Sequence, residues 1–160
     1  MTSQICVDSG VLLKLLLNEP DSGLAEALWQ SWVNEGIQPV APQLFPFEVT
    51  AVLRKLTHRE IIEAELAEKM LKTALTIDVS LQTFDGIHKR AWQLAAEFQR
   101  PTAYDTHYLA LAEHLGCAFW TADQRLVNMV SEKLDWVHWL GDTGKSNTDG
   151  EPLATNKTLC

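Results

Sequence analysis

Short apolar runs alternate with longer stretches of helical spacing along almost the whole chain. Residues 4–7, 38–41, 77–81, 117–120 and 136–140 have strand length and strand composition. Between them the spacing predicts helices over about 11–17, 22–34, 44–58, 60–76, 84–98, 103–115 and 124–130. In the segment 60–76 the apolar positions are Ile62, Leu66, Met70 and Leu71, with charged residues around them. Local punctuation sets the boundaries. Pro20 blocks continuation of the first helix, Asp21 or Ser22 can cap the second, and Gly36 and Gly116 stand where helices commonly stop. Arg100-Pro101 breaks the chain ahead of the helix over 103–115. Strand–helix alternation of this kind predicts a three-layer α/β/α domain on a central, mainly parallel sheet of four to five strands.

That architecture gives meaning to four acidic residues at element junctions. Asp8 ends the run Ile5-Cys6-Val7, and Asp123 follows Phe119-Trp120-Thr121-Ala122. Glu48 lies in the first turns of a helix, in Phe45-Pro46-Phe47-Glu48-Val49, and Asp105 opens the apolar helix that continues Tyr108-Leu109-Ala110-Leu111-Ala112. Sites on open parallel sheets form at the carboxyl ends of strands, so all four carboxylates can converge on one rim. Each also has a local explanation. Asp8 and Asp123 suit helix N-caps, and Glu48 suits the positive end of a helix dipole. Asp105 fits that explanation least, because burial makes a bare carboxylate costly. One site for hard divalent cations explains all four at once.

Composition narrows the classes. With 46% apolar and 21% charged residues in 160, the chain reads as one globular domain with a substantial core. It shows no basic, apolar leader at its start and no apolar run of membrane-spanning length. Cys6 and Cys117 lie in strand-like runs and Cys160 is the last residue, which is neither a disulfide framework nor a zinc pattern. The expected compartment is a reducing cytoplasm. A net charge of −8 argues against a broad basic nucleic-acid surface but leaves room for a nucleic-acid enzyme with metal-binding acids. The basic stretch 54–59 reads at least as well as a solvated helix end. His107 and His114, seven residues apart, do not form a metal pair, and the tryptophans, among them Trp29, Trp32 and Trp92, are expected in the core. From Thr143 the composition turns polar. Gly144-Lys145-Ser146 there imitates the end of a phosphate-binding loop, and Asn156-Lys157-Thr158 matches a glycosylation sequon.

Three segments carry a family resemblance: residues 7–15 (Val7-Asp8-Ser9-Gly10 onward), residues 42–49 (ending Glu48-Val49), and residues 104–126. The last contains Tyr104-Asp105, then Tyr108-Leu109-Ala110-Leu111-Ala112-Glu113, a Leu115-Gly116 turn and Thr121-Ala122-Asp123. On these the chain resembles PIN-domain proteins, and within them the VapC-type ribonuclease toxins. The resemblance implies a PIN-like nuclease domain over residues 1–141, and the polar composition beyond it predicts a disordered tail, 142–160. The resemblance also implies an endoribonuclease in which Asp8, Glu48, Asp105 and Asp123 bind Mg²⁺ or Mn²⁺ and Thr121 orients the last acid or the attacking water. It further implies a homodimer and a cognate antitoxin protein. Ser9 takes a position usually held by a small residue, whereas Gly10 departs from the family's usual Ser or Asn and removes a hydrogen bond to the acids. The competing expectation is a non-catalytic PIN-like domain that binds a protein or RNA partner. A receiver-like or dehalogenase-like phosphotransfer domain fits worse, since the second acid of the dehalogenase Asp-x-Asp pair would fall on Gly10.

Overall fold

The computed structural model describes residues 2–147. Its elements follow in the order β1 (Gln4–Val7), α1 (Ser9–Leu16), α2 (Ser22–Glu35), β2 (Gln38–Pro42), α3 (Phe45–His58), α4 (Ala64–Thr76) and β3 (Ser80–Gln82). The second half contains α5 (Ile87–Glu97), α6 (Tyr104–Leu115), β4 (Phe119–Thr121), α7 (Gln124–Val130), β5 (Val137–Trp139) and a 3-10 helix, Leu140–Asn147. Among the described residues five strands form one sheet in the order β3-β2-β1-β4-β5, and every neighbouring pair is parallel.

The expected α/β class and strand number are therefore met. Parallel neighbours need crossovers, and these are right-handed almost without exception. The chain moves from β1 to β2 to β3 in one direction, then returns past β1 to lay down β4 and β5. Right-handedness thus puts α1 to α4 on one face of the sheet and α5 to α7 on the other. Helix α6 packs on β1, β2 and β4, with α5 against its outer side. That position accounts for its composition: Thr106 and Tyr108 through Ala112 are all buried. The Thr106 hydroxyl donates to the Ala91 carbonyl at 2.7 Å, and Arg90 grips Glu113 through two bonds of 2.6 and 2.8 Å, fixing α5 on α6.

Several boundaries differ from expectation, each for a local reason. Helix α4 begins at Ala64 rather than near Glu60, because Glu60 adopts a left-handed conformation (φ 56°) that ends the previous helix. Strand β3 is Ser80–Gln82, shifted from 77–81, because Ile77 still closes α4 through a bond to Thr73. Asp21 stands at the α2 cap position without accepting there and pairs with Lys14 instead, at 3.0 Å. Helices α2 and α6 do stop at left-handed glycines, Gly36 (φ 67°) and Gly116 (φ 63°). Trp32 is in the core, but Trp92 is 69% exposed, correcting its expected burial, and Leu66, an apolar position of α4, is 46% exposed. Both lie on outer helices with solvent on one side, which periodicity alone does not distinguish from a second packed face. The 3-10 helix packs against α2 and runs through Asn147, past the expected domain limit at 141. The rest of the expected tail, with the sequon and Cys160, lies outside the described residues.

Candidate active site

The strand order reverses between β1 and β4, and the carboxyl ends of these two strands frame the crevice where ligands bind in open parallel sheets. Val7 is in register with Trp120, so Asp8 and Thr121 leave the two strand ends side by side. The Asp8 amide donates to the Trp120 carbonyl at 3.1 Å and continues the ladder one residue beyond β1. The Thr121 hydroxyl donates to Asp8 Oδ2 in a very short contact and accepts from the Asp123 amide at 3.0 Å. Thr121 is buried, so this one hydroxyl ties two acids to a fixed point.

Cap and site roles coincide at Asp8. Its Oδ1 accepts from the Val11 amide at 3.0 Å as the N-cap of α1, while Oδ2 faces Thr121. Asp123 likewise caps α7, accepting from the amides of Arg125 and Leu126 at 3.0 and 3.2 Å. Glu48 projects from the first turn of α3, where Pro46 is the second residue, and accepts from the Tyr108 hydroxyl at 2.6 Å. Asp105 sits in the first turn of α6 and pairs with Arg100 at 2.7 Å. The left-handed Gln99 (φ 52°) precedes that arginine.

The electrostatics tie three of the acids together. Burial pushes the Asp8 carboxyl up to about 6, against the pull of the Thr121 and Val11 hydrogen bonds, and the charges of Glu48 and Asp105 push the same way. Glu48 is also raised, first by burial and then by Asp105, with Tyr108 and Ser9 opposing. Burial and the Glu48 charge raise the Tyr108 hydroxyl far above its usual range, so it remains a donor. Asp123 joins through its amide on Thr121, with its Oδ1 taken up by the α7 amides.

The donors on the rim are all oxygen, which suits Mg²⁺ or Mn²⁺ and no soft metal. Among the described residues no three His, Cys, Asp or Glu groups stand close enough to hold an ion as they are placed. The reason is visible in the partners: Glu48 is turned to Tyr108, Asp105 to Arg100 and Asp123 to the α7 amides. Accommodating a cation requires drawing Glu48 or Asp105 from those partners, toward an Asp8 whose ionised form the fold disfavours.

Gly10 has a second explanation besides a lost hydrogen bond. A Cβ there would stand 3.2 Å from Asp8 Oδ1 and 3.3 Å from the Ala122 Cβ, so glycine permits the close approach of α1 to the turn after β4. The basic stretch 54–59 runs to the far end of α3, from roughly 9 Å to roughly 16 Å along the axis from Glu48. His107 bonds to His88 and the Ala103 carbonyl, and His114 stacks on Phe84 at 4.0 Å. Sequence reasoning missed Tyr108 and Arg100. A tyrosine within an otherwise apolar buried helix needs a partner for its hydroxyl, which is the signal that was available.

Fold and rim together define an α/β domain with a carboxylate site at the switch point of its sheet. Residues 5–131 match the family model of the PIN domain, and the chain belongs to the PIN-domain family. It is 33% identical over 122 residues to the VapC ribonuclease Mb0985 of Mycobacterium bovis, and equally to ribonuclease VapC9 of Mycobacterium tuberculosis. These alignments span 76% of this chain and 87% of each relative. Among solved structures, PAE2754 from Pyrobaculum aerophilum matches with a TM-score of 0.64 at 19% identity, over 89% of this chain and 95% of that one. Mycobacterium tuberculosis VapC20, a sarcin-ricin loop cleaving toxin, matches with a TM-score of 0.56 at 16% identity, over 74% and 87%. At those identities the two structures speak to fold.

Proposed function

We propose that this chain is a divalent-metal-dependent endoribonuclease of the VapC toxin kind. The observation that carries it is the convergence of Asp8, Glu48 and Asp105 at the β1/β4 switch point, with Thr121 linking Asp8 to Asp123. The ribonuclease names of its one-third-identical relatives supply the substrate class that carboxylates alone do not.

Asp8, Glu48, Asp105 and Asp123 would hold Mg²⁺ or Mn²⁺. When bound, such an ion neutralises phosphate charge and makes water a competent nucleophile near neutral pH. Thr121 keeps Asp8 oriented and lowers the cost of its ionised form. Tyr108 holds Glu48 at the rim through its hydroxyl. Arg100 shields Asp105 and is the cation placed to meet a phosphate when that pair opens.

The VapC likeness extends the proposal to an antitoxin protein and a homodimer, and the acidic net charge of −8 suits a partner with a basic segment. Cys6 and Cys117 are free thiols, which suits the cytoplasm, and among the described residues no helix is long and apolar enough to cross a membrane. The test is RNA cleavage with Mg²⁺ or Mn²⁺ and with chelator, comparing wild type with Asp8→Asn and Asp105→Asn. Both variants should lose about a hundredfold or more. Equal cleavage by all three eliminates the site, and no cleavage by any favours a non-catalytic binding domain.

A further inference from the structure

Beside the acids, on the same rim, lies a cavity of about 450 Å³ that nothing in the proposed chemistry uses. Its walls are Leu44 and Phe47 from the start of α3, Ile87 and His88 from the start of α5, and Tyr104 and His107 from the start of α6. Pro42 and Thr83, at the ends of β2 and β3, place it over the half of the sheet next to β1.

We infer that this cavity binds an unpaired base of the RNA substrate, neighbouring the phosphate that is cut. The inference rests on the ribonuclease reading and names what determines its substrate.

The placement argues for it first. Phe47 immediately precedes Glu48, and Tyr104 immediately precedes Asp105, so the α3 and α6 walls of the cavity are each continuous with an acid of the site. Strands lie about 4.8 Å apart, so moving from the β1/β4 crevice to the β2/β3 edge is a step of one to two strand spacings. A nucleotide with its phosphate at the acids carries its base in that direction within reach of the cavity.

The chemistry of the walls points the same way. Phe47 is 73% exposed and Tyr104 59%, and the two line the same cavity, where their rings offer a face to a ligand. Base–aromatic stacking is the main source of affinity for single-stranded RNA where basic charge is lacking. This chain lacks it: the net charge is −8, and the rim itself is acidic. Counterion release therefore contributes little, and stacking must supply more of the binding.

The polar groups of the cavity are orderly. The Ala103 carbonyl can only accept, so His107 Nδ1 carries a proton. In the neutral ring Nε2 then accepts from His88 Nδ1 at 2.9 Å, leaving His88 Nε2 as an acceptor. Gln43 and Thr83, exposed at the mouth, add amide and hydroxyl groups for a base edge.

The test uses the full chain and a short unstructured RNA, intact, with single abasic positions, or with a fluorescent purine analogue. Phe47→Ala and Tyr104→Ala should each raise KM about tenfold or more while kcat stays within a few-fold, the effect of one lost stack. Phe47→Trp and Tyr104→Phe should restore KM. An abasic position next to the cut should mimic the alanine variants and show no further loss when combined with them. The analogue's fluorescence should be quenched on binding to Asp8→Asn and not to Asp8→Asn combined with Phe47→Ala. Unchanged KM and quenching in the alanine variants overturn the base site and leave the cavity to a protein side chain. A quench that depends on Phe47, found without any cleavage by wild type, keeps the base site and sinks the nuclease reading. Both rings are exposed, so thermal melts should match wild type, and a variant that melts early is replaced by Phe47→Leu or Tyr104→Leu.

Discussion

Asp8→Asn should make the metal-free protein more stable while abolishing its cleavage of RNA. Burial, with Glu48 and Asp105 behind it, raises the Asp8 carboxyl from 3.8 to about 6. About two pH units at ~1.4 kcal/mol each is roughly 3 kcal/mol of destabilisation at neutral pH, and an upper figure, since solvent reaches this partly buried group. Asparagine keeps an oxygen for the Val11 amide and is as good a cap. Its amide cannot accept from Thr121, which costs about 1 kcal/mol. The expected net gain is therefore about 1–2 kcal/mol, or roughly 3–10 °C in Tm. The sign of the pH dependence follows from which form is disfavoured. The ionised form carries the penalty, so it is full above the folded value near 6, fades as pH falls through it, and is gone below the unfolded value of 3.8. Thermal melts in chelator should show the variant ahead at about pH 7 and no longer ahead at about pH 4, where the lost Thr121 bond leaves it level with wild type or slightly below. Adding Mg²⁺ or Mn²⁺ should raise the Tm of wild type and leave the variant unmoved, because only the former binds the ion in its folded state. A variant less stable than wild type at neutral pH in chelator refutes the reasoning, as does an advantage that survives acidification.

Tyr108→Phe removes the donor to Glu48 and should cost about 1–2 kcal/mol in denaturant melts, with a higher metal concentration needed for half-maximal cleavage. Thr121→Val keeps shape but leaves the Asp123 amide and Asp8 without their shared hydroxyl; a loss of about 1–3 kcal/mol at neutral pH is expected, shrinking as Asp8 protonates, and readable by urea titration at several pH values. Arg100→Gln frees Asp105 from its competing cation, so calorimetric titration should show Mn²⁺ binding several-fold tighter even as RNA binding weakens. Gly10→Ser forces a Cβ against Asp8 Oδ1 and Ala122, and should lower Tm by a few degrees unless the new hydroxyl compensates by bonding the acids.

Much of this molecule was legible locally. The runs before Asp8 and Asp123, the glycine stops and the apolar length of α6 all act over a few residues, and the elements they specify are where expected. The four acids stood out because each sits at an element junction, and strand alternation predicted those junctions on one rim. Tertiary structure alone decided what surrounds them. Thr121 meets Asp8 only because β4 was laid beside β1 rather than beside β3, and Tyr108 meets Glu48 only because α6 and the start of α3, from opposite faces of the sheet, reach the same rim. Arg100 reads in sequence as a breaker before Pro101, yet it pairs with Asp105 through a left-handed turn at Gln99. Exposure of Phe47 and Trp92 is likewise invisible to periodicity, which reports that a face is apolar and not what covers it. Hydrogen-bond partners and exposure depend on which distant segments meet, and that is settled by the order in which the strands are laid into the sheet.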